Sequence, residues 1–193
     1  MKINYCEIQT KSNYLSLFRL FLAIPFFFLL DSIHSGYSYR LFIFGFMMLA
    51  LFTDLADGWL ARKYNEITEL GKIIDPLADK ILIGTIVIKL YLIGEISDFY
   101  FWVIILRDIL IFLGGIFISN KIGRVLPSNL LGKITVLTIG FYLISVVLNF
   151  SEEAPKVYGF LYYLSISMSF ISIIGYAVRG FELIKWKRKN EVV

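Results

Sequence analysis

The sequence predicts an all-α integral membrane protein of six transmembrane helices with both termini in the cytoplasm. Three observations carry that expectation. Of 193 residues, 58% are hydrophobic and only 18% charged, with a mean hydropathy of +0.75, whereas soluble domains average roughly 45–50% apolar and about 25% charged. The apolar residues gather in six runs, each near the roughly 17–25 residues a helix needs to cross the hydrocarbon core. The basic residues collect at alternate ends of those runs, as the excess of Lys and Arg in cytoplasmic loops requires.

The runs are 14–30, 41–60, 73–93, 100–119, 130–150 and 157–184. The first is at the short end and carries Pro25, which removes a backbone donor and predicts a kink. The start of the third is open between two readings, before Gly71 or at Asp75, because Asp75-Pro76 also has the form of an N-cap followed by proline at the first helical position. Short connections make successive helices antiparallel neighbours. With the N-terminus inside, most of the 19 Lys and Arg residues are cytoplasmic; Arg40 and Lys156 lie outside, with Glu95, Asp98, Glu152 and Glu153. Residues 1–193 read as a single membrane domain, with 1–13 an interfacial segment and 185–193 a basic cytoplasmic tail. The tail, Lys185-Trp186-Lys187-Arg188-Lys189, suits an anchor at lipid headgroups. No small-residue cleavage site follows the first run, so a cleaved signal peptide is not expected. A net charge of +4 does not indicate nucleic acid, because the basic residues cap apolar runs. A single cysteine, Cys6, and a single histidine, His34, exclude a disulfide framework and a Cys/His metal cluster.

The chemistry lies in the acidic residues. An Asp at the centre of a membrane helix costs about 2.5–3.5 kcal/mol on insertion scales, so an ionisable residue there is a functional candidate by default. Asp54, Asp57, Asp75, Asp79 and Asp108 lie in or near apolar runs, and the first four flank one cytoplasmic turn. Asp54, Asp57, Gly58 and Ala61 fall on one helical stripe; Gly71, Asp75 and Asp79 fall on another. Residues three or four apart sit about 5–6 Å from each other. Two antiparallel helices therefore aim four carboxylates at one pocket, with Gly58, Ala61 and Gly71 leaving room beside them. Four carboxylates repel, and two divalent ions balance them; all-oxygen ligation suits Mg²⁺ or Mn²⁺. Such two-metal sites serve phosphoryl chemistry, and Arg62 adds a planar fork for phosphate oxygens. Capping alone explains Asp75, but not all four.

Asp54-x2-Asp57-Gly58-x2-Ala61-Arg62-x8-Gly71-x3-Asp75-x3-Asp79 resembles the signature of the CDP-alcohol phosphotransferase family at every fixed position. The resemblance implies that a CDP-linked lipid is attacked by an alcohol, that a phosphodiester forms and that CMP leaves. It implies metal binding by Asp54, Asp57, Asp75 and Asp79, a catalytic-base role for Asp79, and a cytidine diphosphate site lined by Asp54, Gly58, Ala61, Arg62 and Gly71. Finer features resemble the branch that makes phosphatidylglycerophosphate: Asn13-x2-Ser16-x2-Arg19, with Ser in place of the usual Thr; Asp75-Pro76-Leu77-Ala78-Asp79-Lys80; Arg107-Asp108; and Gly132-Lys133-x-Thr135. That branch implies CDP-diacylglycerol from the bilayer and sn-glycerol 3-phosphate from the cytoplasm as substrates, at the cytoplasmic face of the inner membrane. Homodimers are common in the family, and a homodimer is expected on that analogy. Sister acceptors are inositol phosphate, serine and phosphatidylglycerol.

A phosphorylated acceptor needs cations of its own. Arg107, Lys133 and Arg124 are the candidates. At 1.5 Å per residue Arg107 lies about 18 Å above the cytoplasmic end of its span and Asp79 about 12 Å in, a gap that a long side chain bridges. Arg107 in a buried ion pair with Asp108, and Lys133 and Arg124 as topological charges or headgroup contacts, are the alternatives. Ser165, Ser169 and Ser172 form a stripe suited to close helix packing. A divalent-cation transporter is the rival of another class, but the acidic cluster hugs one face and no acidic ladder crosses to the other.

Overall fold

Each apolar run folds as an α-helix. The computed structural model describes the backbone of residues 11–64, 71–122 and 130–190, and the side chains of 20–53, 80–121 and 130–187. Within these, α1 spans Lys11–Leu29 and continues into a 3₁₀ turn, Leu30–Ser35; α2 spans Tyr37–Tyr64, α3 Gly71–Leu92, α4 Asp98–Ile122 and α5 Leu130–Val147. A single turn, α6 (Phe150–Glu153), leads into α7, Pro155–Asn190. No strand occurs among the described residues. Among the described residues, three helices are long and apolar enough to cross a membrane: Asp98–Lys121, Leu130–Val147 and Pro155–Lys187. Two further apolar helical segments, Leu20–Ser35 and Tyr37–Thr53, are shorter. The protein is thus all-helical and suited to a bilayer, with large apolar side chains such as Phe21, Phe28, Phe42, Trp102, Phe112 and Phe160 on its surface.

The chain divides into two compact units. The first holds α1, α2 and α3 together with 147–149. Its core repeats at helical spacing: Leu22, Phe26 and Leu30, Ile33 from α1 and the 3₁₀ turn; Ile43, Met47 and Ala50 from α2; Leu82, Ile86 and Leu90 from α3. Pro25 lies inside α1, which runs on past it to Leu29. α3 ends in a Schellman-type cap. Glu95 N–H donates to Leu90 O (2.9 Å) and Gly94 N–H to Tyr91 O (3.0 Å), with Gly94 at φ +80°, the left-handed geometry that glycine adopts without strain. The cap delivers Glu95 to Arg40, 2.8 Å away at the start of α2, and Arg40 also donates to Val147 O at 3.2 Å.

Beside this cap Lys89 of α3 is buried, its ammonium 2.6 Å from Asp31 of the 3₁₀ turn and 4.2 Å from the Phe27 ring centroid. The partners are unequal: the Lys89 side chain is 9% exposed and Asp31 55%. Breaking a pair is costly when a buried charge is left behind and cheap when the survivor reaches water. Asp31→Ala is therefore expected to destabilise by about 3 kcal/mol, and Lys89→Met by no more than about 1 kcal/mol. Thermal unfolding of the two variants in detergent checks this; the reverse order would contradict it.

The second unit holds α4, the body of α5, α6 and α7. α4 and α7 run parallel, since contacts advance together along both: Arg107 with Ser172, Ile118 with Gly180, Lys121 with Lys187. α5 runs antiparallel to α7: Gly132 meets Tyr176, Thr135 meets Met168 and Tyr142 meets Tyr158. Up–down alternation of α4, α5 and α7 requires this pattern. At one end Tyr100, Tyr142, Tyr158 and Tyr162 stack, with centroids 4.3 to 5.6 Å apart. Along α7, Ser165, Ser169 and Ser172 are fully buried, and each hydroxyl donates to a carbonyl of the preceding turn. The polar groups are thus satisfied within the helix, and their small size permits close approach, as expected of the stripe. Gly180 does the same against Ile118, where a Cβ would collide with the Ile118 side chain.

Candidate active site

The acidic motif occupies the end of one helix and the start of the next. Asp54, Asp57, Gly58, Ala61 and Arg62 are on the last turns of α2, and Gly71, Asp75 and Asp79 on the opening turns of α3. Both helices belong to the first unit. α3 is helical from Gly71 onward among the described residues, so Asp75 lies a full turn inside it and does not cap it; the reading in which the helix starts at Asp75 is excluded. At 3.6 residues per turn Asp54, Asp57, Gly58 and Ala61 then share one side of α2, and Gly71, Asp75 and Asp79 one side of α3. The side chains of residues 54–79 lie outside the described residues, and Arg124 lies outside them altogether. At the margins of the motif, Thr53 Oγ1 donates to Ala50 O at 2.8 Å and Lys80 is exposed.

The acceptor candidates fall in the second unit. Arg107 is 6% exposed. Its Nε donates to Ser172 Oγ at 3.2 Å and its Nη1 pairs with Asp108. The Arg107–Asp108 ion pair is thus present, with Arg107 buried and Asp108 39% exposed. Lys133 is exposed at the end of the first turn of α5, with buried Gly132 just before it and buried Thr135 two residues after it. A Cβ on Gly132 would sit 3.3 Å from the Tyr176 ring. Thr135 is fully buried, its hydroxyl 2.7 Å from Leu131 O and 3.1 Å from Met168 O. Gly132 and Thr135 thus seat α5 on α7 while Lys133 projects from the seam. Ser172 was legible in the sequence as a packing residue; its hydrogen bond to Arg107 was not, because no spacing within one helix encodes a contact with another.

An all-helical, apolar chain carrying this aspartate motif defines a class of membrane transferase. A family model described as CDP-alcohol phosphatidyltransferase matches residues 9–175, and the chain belongs to that family: it is a phosphotransferase. Among its relatives, a protein of Aquifex aeolicus named CDP-diacylglycerol–glycerol-3-phosphate 3-phosphatidyltransferase is 32% identical over 181 residues, covering 89% of this chain and 96% of that protein. One of the same name from Mycoplasma pneumoniae is 29% identical over 206 residues, covering 92% and 90%. Another from Rickettsia bellii is 38% identical over 99 residues, about half of each chain.

Proposed function

We propose that this chain is a CDP-diacylglycerol–glycerol-3-phosphate 3-phosphatidyltransferase, making phosphatidylglycerophosphate and CMP. The observation that carries this reading is a complete aspartate motif in a chain similar almost end to end to relatives of that name. In this reading α1, α2 and α3 cross the inner membrane as well as α4, α5 and α7. Both termini are cytoplasmic, the site opens at the cytoplasmic face, and the whole chain works as one membrane domain, as a homodimer. The parallel run of α4 and α7 supports the alternation. The basic segment from Lys185 forms the last described turns of α7, a helix of 36 residues that at 1.5 Å per residue spans about 54 Å and outruns a core of about 30 Å.

The donor set fits two divalent ions. Four carboxylates on consecutive helices offer hard oxygen ligands alone, the choice of Mg²⁺ or Mn²⁺. When bound, such ions supply charge neutralisation for the diphosphate and for the charge that develops during transfer. Asp54, Asp57, Asp75 and Asp79 hold them. Asp79 also takes the proton from the acceptor hydroxyl. That oxygen bonds to the phosphorus bearing diacylglycerol, the bond from this phosphorus to the bridging oxygen breaks, and CMP departs with the electron pair. Asp54, Gly58, Ala61 and Gly71 line the cytidine diphosphate, and Arg62 forks onto its phosphate oxygens. Arg107, Lys133 and Arg124 receive the acceptor phosphate.

Lys133→Ala is expected to raise the KM for glycerol 3-phosphate about tenfold, the lower end of what a hydrogen bond to a charged group contributes, because Lys133 is exposed. The KM for CDP-diacylglycerol should hardly move. Equal rises in both would assign Lys133 to scaffolding. The acceptor itself is tested by competition: unlabelled glycerol 3-phosphate should suppress transfer to inositol phosphate, serine or phosphatidylglycerol in the same assay. Preference for any of those three would move the chain to a sister branch with the same chemistry.

A further inference from the structure

Arg107 sits mid-way along α4 and is 6% exposed. A guanidinium carries five N–H donors, and no Arg107 nitrogen is among the fully buried side-chain atoms left without a partner. Two are spent: Nε on Ser172 Oγ and Nη1 on Asp108. No described residue engages Nη2. The two anchors differ in kind. Asp108 is the next residue on α4 and supplies charge. Ser172 comes from α7 and supplies none. Its own proton goes to Ser169 O at 2.8 Å, so its oxygen can only accept from Nε.

We infer that Ser172 is a positioning residue: by holding Nε, it fixes the plane of the Arg107 guanidinium and keeps the Nη2 edge presented to a phosphate monoester. The inference rests on the proposed role of Arg107 at the acceptor phosphate and adds the device that aims it. A planar guanidinium anchored at Nε and Nη1 no longer rotates about its stem, so its remaining donors meet phosphate oxygens without an ordering cost. A hydroxyl anchors Nε without adding a second negative charge beside a guanidinium that Asp108 already pairs. Packing alone would be served equally by alanine, which is smaller and as well tolerated at a close helix crossing.

The test uses the full-length protein in detergent–lipid micelles with glycerol 3-phosphate as the varied substrate. Ser172→Ala is expected to raise its KM about three- to tenfold, as for one weakened charge-assisted contact. The KM for CDP-diacylglycerol and the melting temperature should stay near those of the parent. In an Arg107→Lys background, whose ammonium has no Nε to hold, the same Ser172→Ala change should alter the KM less than about twofold, because residues acting through one contact are not additive. An equal rise in both KM values, a loss of melting temperature alone, or an undiminished effect in the Arg107→Lys background would overturn the positioning role. If Arg107→Lys raises the acceptor KM and Ser172→Ala does nothing, the role of Arg107 stands and that of Ser172 falls. If Arg107→Lys itself leaves the acceptor KM unchanged, both fall.

Discussion

Asp79→Asn is expected to eliminate nearly all transfer while leaving the protein folded and able to bind CDP-diacylglycerol. Asparagine keeps the size of the side chain and removes both its negative charge and its capacity to take a proton. General-base catalysis alone is worth about 10²–10⁴-fold, and loss of one carboxylate from a four-carboxylate set weakens metal binding on top of that. Asp79 lies on α3, one turn beyond Asp75 and two beyond Gly71, within a helix that Leu82, Ile86 and Leu90 anchor in the core of the first unit. The fold therefore does not hang on it. Rates of CMP release and retention of nucleotide-lipid on the purified variant measure the two halves separately. An enzyme within about threefold of the parent would show that another group is the base.

Removing divalent cations is expected to have an effect as large. Without them four carboxylates on adjacent helix ends repel, and nothing balances the diphosphate of the substrate. Activity should fall to background in a chelator and return with Mg²⁺ or Mn²⁺. Calorimetry offers a second readout: an ion bound only by the folded protein stabilises it by about 2.7 kcal/mol at one hundred times its dissociation constant, so the melting temperature should rise with metal and not do so in Asp54→Asn or Asp75→Asn. Full turnover in metal-stripped buffer would contradict the two-ion site.

The helices were largely legible in the sequence, because length and apolarity are one-dimensional signals. The run 130–150 became α5, Leu130–Val147, and the run 157–184 became α7, which extends to Asn190 because Lys, Trp and Arg continue a helix as readily as they anchor it. The start of α3 was ambiguous for a physical reason: Asp75-Pro76 is a local start signal, yet the chain is already helical at Gly71. The motif that names the family was fully readable, since its spacing lies within two consecutive helices. Contacts between distant segments were not. Lys89 falls within the run 73–93, but nothing in the chain announced Asp31 as its partner. Gly132 gains a reason only from the Tyr176 ring above it, and Ser172 only from Arg107.

The central claim is transfer of a phosphatidyl group from CDP-diacylglycerol to glycerol 3-phosphate at a metal-loaded aspartate site. It is tested most directly by incubating the purified protein with CDP-diacylglycerol, Mg²⁺ and glycerol 3-phosphate labelled on phosphorus, and following the label and CMP together. The account predicts one labelled, chloroform-soluble lipid with the properties of phosphatidylglycerophosphate for each CMP released, and neither product when the metal is withheld. CMP release with the label left in water would contradict it.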